Sequence, residues 1–375
     1  MNFLKTIFNP DSYRDKKEQA ISNYADFWKW FVKNEKTLHK VLKEREVDIE
    51  EHFLDKILGK IGEFQDGIFL LAGMAEEKVA EIIFSAEGNV KNIIFAEELV
   101  AAAPSIKGWM FSALKPQFDA ENAGIRMQNY EFNAKNIHFY SNDNPNYPDE
   151  IDITVIHDDY NEKDKNVIGN GTYIFLDHLL GELNFATIID NVNIIGTENV
   201  EKELVPIIKL NDFLIWRQKE FIEKYEGTWG STDEDGHSIF QAELENGHNL
   251  LMTINTEILE WDAKASHPWM LDLIIPYDGS EGNGMPHQTI YDLMNELEDE
   301  LQVTLKPTEG YLNLGRQTGN NKRLVFWACK EFRKVSKVVK GIQERYADKL
   351  EIEYDIYKDK SWRYFDRFRK SVIPE

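Results

Sequence analysis

The sequence has little cysteine, fewer positive than negative charges, and no long apolar run. Its 375 residues include one cysteine, Cys329. A single cysteine excludes an internal disulfide, and no cysteine cluster is present to hold zinc. Because Cys329 lies in an apolar segment, we expect it to pack in a core, since a reactive thiolate needs an exposed, electropositive setting.

Long apolar stretches are absent throughout. No run of about 18 apolar residues occurs, so no transmembrane helix is predicted. Residues 1–14 have neither a long apolar core nor a small-residue cleavage site, which argues against a secretory signal peptide. Together with the single cysteine, these absences predict a soluble protein of the cytoplasm, a reducing compartment.

Positively charged residues are fewer than negatively charged ones. Lysine and arginine number 43 against 66 aspartates and glutamates, which gives a formal net charge of -23. Such a field repels phosphate backbones and anionic lipid. We therefore expect no direct binding to nucleic acid and no membrane contact, and we expect a protein partner to present basic groups. Solubility alone is the alternative explanation of the charge, and the oligomeric state is not predicted.

Motifs of catalysis and cofactor binding are also missing. The sequence has no Gly-x-Ser-x-Gly elbow and no Ser-His-Asp or Cys-His arrangement with supporting context. The glycine-containing segment 315–323 lacks the Gly-Lys-Ser/Thr of a P-loop. We therefore expect no cofactor, and we expect a non-enzymatic binding or regulatory protein with an acidic surface.

What the sequence does have is enough apolar material for two cores. Its hydrophobic fraction is 42%, and its length exceeds that of one ordinary domain. Hydrophobic periodicity and turn signals divide the chain into four parts. These are an N-terminal helical segment at 1–62, a first α+β domain at 63–210 with a loop-rich insertion at 115–150, a linker helix and linker at 211–233, and a second α+β domain at 234–375.

The most specific pattern runs from Trp269 to Tyr357. Strand, helix, strand, strand, helix and strand follow one another there, and both helices are amphipathic. This order predicts a ferredoxin-like sandwich, an antiparallel sheet with helices on one face. Two strand-helix-strand units between about 79 and 195 predict a second one. The predicted fold class is therefore α+β with two ferredoxin-like domains, a duplication that would leave a functional cleft between them.

Residues 234–375 also resemble the bacterial domain-of-unknown-function family 695. The similarity rests on four segments in the family's order: His267-Pro268, Gly284-Met285-Pro286 before an acidic helix, the glycine turn at 315–319, and the ending at 359–364. That ending is also similar to that of the type B regulator of ribonuclease E activity, a small acidic ferredoxin-like protein that binds and inhibits a nuclease. This second resemblance is an analogy of fold and tail and carries no activity with it.

One group of residues offers metal ligands. His157 and Asp158 end a predicted strand, while His178 and Glu182 lie four positions apart on a predicted helix and share a face. Imidazole and carboxylate ligands suit a divalent ion, so a metal-dependent hydrolase is the alternative function. A charged helix beside a solvated strand end explains the same residues without a metal, and no closed zinc motif matches.

A second group offers an anion-binding or partner-binding surface. Arg316, Thr318 and Arg323 lie in a glycine-containing turn whose amides and cations could hold an anion. A hairpin between two strands explains the same glycines. Trp362 and Tyr364 either anchor the tail against the sheet or form a contact surface. We expect anchoring, because an unpinned terminus frays.

Overall fold

The computed structural model describes residues 20–44, 48–119, 124–232 and 235–369. The N-terminal stretch 1–14 that bears on a signal peptide lies outside these residues. The chain divides into two compact units, one formed by residues up to 84 together with 98–113, the other by 85–97 together with 114–375. Among the described residues, no helix has the length and apolar character that a membrane crossing requires.

The first unit joins the N-terminal helices to a three-stranded sheet of order β1-β2-β3. Its elements are α1 (Tyr24–Glu44), a π-helical turn (Glu50–Leu54), α2 (Asp55–Ile61), β1 (Phe69–Glu76), β2 (Val79–Ser85) and β3 (Trp109–Ala113), with α3 (Val90–Ala101) spanning the division between the units. Strands β2 and β3 are parallel. The predicted boundary at residue 62 therefore falls inside this unit.

Aromatic side chains of α1 fill the core of the first unit. Phe27 and Phe31 are fully buried, and the ring of Phe31 lies 5.0 Å from that of Trp109 on β3. Trp28 is also buried, and its indole nitrogen donates a hydrogen bond of 2.7 Å to the carbonyl of Leu99. The helical spacing of these aromatics thus produces one face that packs against the sheet.

The second unit begins with a smaller layer, which we call the middle sheet. It has four strands in the order β8-β7-β6-β9. The elements of this region are β4 (Ile125–Met127), β5 (Tyr130–Phe132), β6 (Ile137–Asn142), β7 (Asp152–His157), α4 (Lys165–Leu180), α5 (Glu182–Ile188), β8 (Asn191–Ile195), β9 (Val205–Pro206) and α6 (Leu210–Tyr225). Its core includes Ile153, Phe175 and Leu214.

The ferredoxin-like sandwich predicted for residues 63–210 is not what forms. The two strand-helix-strand units lie in different sheets, and the strands within each unit, β2 with β3 and β7 with β8, are parallel. A helical crossover returns the chain in the same direction, so two strands that it joins side by side become parallel neighbours. The segment 186–192, predicted as a strand, contains the last three residues of α5 and the first two of β8, which begins at Asn191.

The C-terminal part forms the largest sheet, which we call the C-terminal sheet. Its six strands lie in the order β10-β11-β13-β14-β12-β15, and all neighbouring strands are antiparallel. The elements are β10 (His237–Glu243), β11 (Asn249–Asn255), β12 (Trp269–Pro276), α7 (Gln288–Thr304), β13 (Tyr311–Gly319), β14 (Lys322–Cys329), α8 (Arg333–Tyr346) and β15 (Glu353–Lys358). The predicted strand-helix order is confirmed here, and helices and sheets together make the chain α+β.

The two faces of the C-terminal sheet are covered differently. On one face, Trp269 of β12 packs against Phe332 just before α8, with ring centroids 4.8 Å apart. On the other, Phe326 packs with Phe365 from the tail, and both belong to one buried cluster with Trp362. The tail therefore closes the face that the helices leave open.

The glycines of the predicted turn lie in strand β13. Gly315 and Gly319 have φ of 130° and 142°. A Cβ at either position would lie 2.2 Å from a carbonyl oxygen of β11, so only glycine allows the two strands to pair there. The turn itself is Asn320-Asn321, with positive φ at both residues, as a tight two-residue hairpin requires.

Candidate functional site: a cationic cleft

The four predicted metal ligands do not form one site. His157 is buried; its Nε2 lies 3.0 Å from the carbonyl oxygen of Glu131, and its Nδ1 accepts the backbone N–H of Asp159. Both ring nitrogens are thus engaged, and burial lowers the pKa of the imidazole. Among the residues that the structure describes, no group of three or more His, Cys, Asp or Glu is arranged to hold a metal ion.

Glu182 does not share a helical face with His178. The helix breaks at Gly181, which has a φ of 74°, and Glu182 begins the next helix. Its fully buried carboxylate accepts hydrogen bonds from the backbone amides of Ala86, Gly88 and Lys115 at 2.8, 3.1 and 3.1 Å. It also accepts one from the Ser85 hydroxyl at 2.8 Å. Glu182 therefore organises two loops, and a metal would have to displace these donors.

The predicted arginines are bound within the fold. Arg323 is fully buried, and its guanidinium donates to Thr318 Oγ1, Glu298 Oε1 and Asn295 Oδ1 at 3.0, 2.7 and 2.9 Å. Arg316 reaches the other oxygen of Glu298 at 3.0 Å. The hairpin alternative describes these residues, since they lie in strands β13 and β14 and their cations face α7. They join the β13–β14 hairpin to that helix.

The two aromatic residues of the tail have different environments. Trp362 is 1% exposed, and its indole N–H donates to the carbonyl of His267 at 3.0 Å. Tyr364 lies 5.5 Å from the ring of Phe326 and is 39% exposed. Trp362 thus anchors the tail against the sheet, as expected from its amphipathic ring.

Several cationic side chains lie between the middle sheet and the C-terminal sheet. Two adjacent pockets there have volumes of about 430 and 710 Å³, and both are lined by Tyr225 and Lys360. We call them together the interlayer cleft. The smaller pocket is lined by four cationic side chains and two acidic ones, namely Lys330, Arg333, Lys358, Lys360, Glu226 and Glu331. Its lining is thus basic within a very acidic chain.

The centre of the cleft is a pair of lysines that share one carboxylate. Lys358 Nζ lies 2.8 Å from one oxygen of Asp190, and Lys360 Nζ lies 2.8 Å from the other. The side chains of Lys358, Lys360 and Asp190 are 12%, 2% and 8% exposed. The amines also donate to the carbonyls of Ile188 and Asp149 at 2.8 and 2.7 Å. Two positive charges thus meet one negative charge away from bulk water.

Burial dominates the electrostatics of Lys358. Burial is the largest influence on the pKa of the amine, Asp190 opposes it and the charge of Lys360 adds to it, and together these effects lower the pKa to about 8. Desolvation disfavours a charged amine because the low-dielectric surroundings replace its hydration. The carboxylate of Asp190 does not restore the ordinary pKa, since it serves two cations.

Register and packing place both lysines at the cleft. Lys358 is the last residue of β15 and pairs with Trp269, so the two side chains share the helix-covered face of the sheet. Lys360 follows in the turn, with its amine 4.5 Å from the ring centroid of Phe221 on α6. The sequence predictions included Lys360 only as part of the tail segment and did not identify Lys358 as a site residue. The one feature of the sequence that could have indicated Lys358 is a charged residue at the end of a half-buried strand.

Comparison with known families bears on one wall of this cleft. Residues 239–368 match the model of DUF695, a family of unknown function. The resemblance predicted for the C-terminal part is therefore confirmed. No curated protein and no solved structure matches the chain, and the similarity to the regulator of ribonuclease E activity stays a prediction.

The DUF695 match divides the cleft. Lys358 and Lys360 lie within the matched residues, whereas Asp190, Phe221 and Tyr225 precede them. The carboxylate that holds the two lysines is thus supplied by the part of the chain outside DUF695. The cleft is consequently a feature of the second unit as a whole.

Proposed function

We propose that this protein is a non-enzymatic binding protein that holds an anionic group, a carboxylate or a phosphate, in the smaller pocket of the interlayer cleft. The observation that carries the proposal is the lysine pair. Lys358 and Lys360 share the single carboxylate of Asp190, which leaves one positive charge unbalanced at the pocket wall. An anionic ligand offsets the cost of such a buried, uncompensated charge.

The other cations of the pocket add to this field. Lys330 donates to the carbonyl of Thr228 at 2.9 Å and lies 4.8 Å from the ring centroid of Trp229. Its bonding therefore uses neutral groups. Arg333, in contrast, forms two hydrogen bonds of 2.8 and 2.7 Å with Glu97, and its charge is largely balanced. Lys330 is the third cation that supports anion binding.

Apolar rings also line the smaller pocket and suit an apolar or aromatic portion of the ligand. Phe221, Trp269 and Phe332 contribute to the lining. A pocket that combines flat rings with a few convergent charges has the usual composition of a small-molecule site. The proposed ligand is therefore a small organic anion.

Calorimetric titration tests this proposal with inorganic phosphate and phenyl phosphate as probes. We expect Lys360→Gln to bind at least about tenfold more weakly than wild type, since a charge-assisted hydrogen bond contributes about 1.5–3 kcal/mol. Lys219→Gln is the matched control, because this lysine lies on α6 with its side chain 73% exposed, and it should bind as wild type does. Equal binding by Lys360→Gln, or no binding by wild type at low salt, would overturn the proposal.

A protein partner with basic groups is the second proposed ligand. The net charge of -23 supports it, since complementary charge steers association. The buried, unpaired Cys329 supports a cytoplasmic location. We expect a pull-down at low salt to retain a basic protein that high salt releases, and recovery of no such protein would count against this role.

The finer fold assignment is also a proposal. In the C-terminal sheet, the order β13-β14-β12-β15 with antiparallel neighbours, and with α7 and α8 each connecting two strands, supports a ferredoxin-like arrangement. The four strands and two helices of this arrangement form one continuous segment of the chain, from β12 to β15. Strands β10 and β11 and the middle sheet lie outside that segment. An experimental structure showing a different strand order would contradict the assignment.

A further inference from the structure

Lys358 is placed to react as well as to bind. Lys358 is among the residues that line the smaller pocket of the interlayer cleft, and its side chain is 12% exposed. The group is thus largely desolvated yet reachable from the pocket. An amine in this setting can act as a nucleophile toward a carbonyl carbon, provided that a fraction of the protein molecules carries it in the neutral form.

Burial favours a neutral amine at Lys358, and the charge of Lys360 acts in the same direction, whereas Asp190 opposes it. The amine of Lys360 competes for the same carboxylate, Asp190, while Glu150 adds a weaker attraction and is itself paired with Arg363. With a pKa lowered to about 8, about one molecule in ten carries the neutral amine at pH 7, against fewer than about one in a thousand for an ordinary lysine.

We propose that Lys358 forms an imine with a ligand that carries both a carbonyl and an anionic group, such as an aldehyde phosphate or a 2-oxo acid. The geometry behind this proposal is the pair of amines on opposite oxygens of Asp190, where one amine reacts and the other holds the anion. The inference rests on the proposed function, since Lys360 and its neighbours must first hold the anionic group.

The chemistry balances without any additional reactant. The neutral nitrogen attacks the carbonyl carbon and forms the C–N bond. The carbonyl oxygen then leaves as water, which takes both protons of the amine. Nothing is oxidised or reduced. When the imine is protonated, the carboxylate of Asp190, 2.8 Å from the nitrogen, stabilises the cation. The result is reversible covalent capture of the ligand.

Pyridoxal 5′-phosphate is the probe that tests the inference, because it combines an aldehyde, a phosphate and an aromatic ring. The full-length protein is incubated with it, reduced with borohydride, digested and mapped by mass spectrometry. We expect the adduct on Lys358 to exceed that on the exposed Lys219 by at least about tenfold, to increase with pH around 8, and to decrease with added inorganic phosphate. Adducts spread over exposed lysines, with none enriched at Lys358, would overturn the inference.

A second probe separates this inference from the proposed function. Pyridoxine 5′-phosphate carries an alcohol in place of the aldehyde and cannot form an imine. Lys358→Arg, which keeps the charge, should lose the pyridoxal adduct. If wild type binds pyridoxine 5′-phosphate but gives no Lys358 adduct, the imine is wrong and the anion site stands. If neither pyridoxine 5′-phosphate nor phosphate binds, the proposed function itself fails.

Discussion

Replacing Glu182 by alanine tests whether this residue is structural. Its buried carboxylate accepts three backbone N–H groups and one hydroxyl at 2.8–3.1 Å. Each buried donor left without an acceptor costs about 1–3 kcal/mol. Because the buried carboxylate also costs desolvation free energy that the substitution recovers, we expect a net loss of about 4 kcal/mol in the free energy of unfolding. Glu182→Gln should lose about half as much, since one of its two ends still accepts hydrogen bonds.

Urea unfolding measures these losses, and hydrogen exchange locates them. The amides of Ala86 and Gly88 should exchange faster in Glu182→Ala than in wild type. Glu162→Ala is the control, because the side chain of Glu162 is 77% exposed, and its effect should stay within about 0.5 kcal/mol. Equal effects of the two alanine variants would refute the reasoning. So would a divalent ion that stabilises wild type but not Glu182→Ala.

Three further changes test the packing of the C-terminal sheet. Gly315→Ala places a Cβ 2.2 Å from the carbonyl oxygen of Thr253, so we expect urea unfolding to show a loss of about 3 kcal/mol or more; a loss below about 1 kcal/mol would contradict the strand assignment. Trp362→Phe removes the indole donor to a buried carbonyl and should cost about 1–3 kcal/mol in the same assay, and an unchanged midpoint would show that the bond is unimportant. Burial, followed by the charge of Asp355, raises the pKa of Asp272 to about 6, so the folded state binds the extra proton and stability decreases as pH rises from 4 to 7. Asp272→Asn should abolish this decrease and be more stable than wild type at pH 8 by up to about 3 kcal/mol; an unaltered pH profile would disprove it.

Elements in the C-terminal part follow from local patterns in the sequence. Strand β12 and helix α6 begin within one residue of their predicted starts, at Trp269 and Leu210. Side chains repeat every 2 residues in a strand and about every 3.6 in a helix, so a short window contains the necessary information. The loop between β10 and β11, which contains Asn246 and Gly247, is equally local, because turn geometry depends on a few adjacent residues.

Pairing between distant segments was not predictable in the same way. In the C-terminal sheet the two strands that α7 joins are separated by β14, which is antiparallel to both, whereas in the middle sheet β7 and β8 are direct parallel neighbours. Which strands become neighbours depends on packing across the whole layer. The helix break at Gly181 is a similar case, since it depends on the fit of Glu182 among donors from two loops.

The candidate site shows the same division. By itself the sequence determined the net charge, and it predicted the order of elements from β12 to β15, the DUF695 resemblance and, as one of two alternatives, the anchoring role of Trp362. Only the tertiary structure decided that Arg316 and Arg323 share the carboxylate of Glu298, and that Lys360 meets Asp190 from 170 positions away. The physical reason is that a charge acts according to its burial and its partners, and both are set by packing between layers.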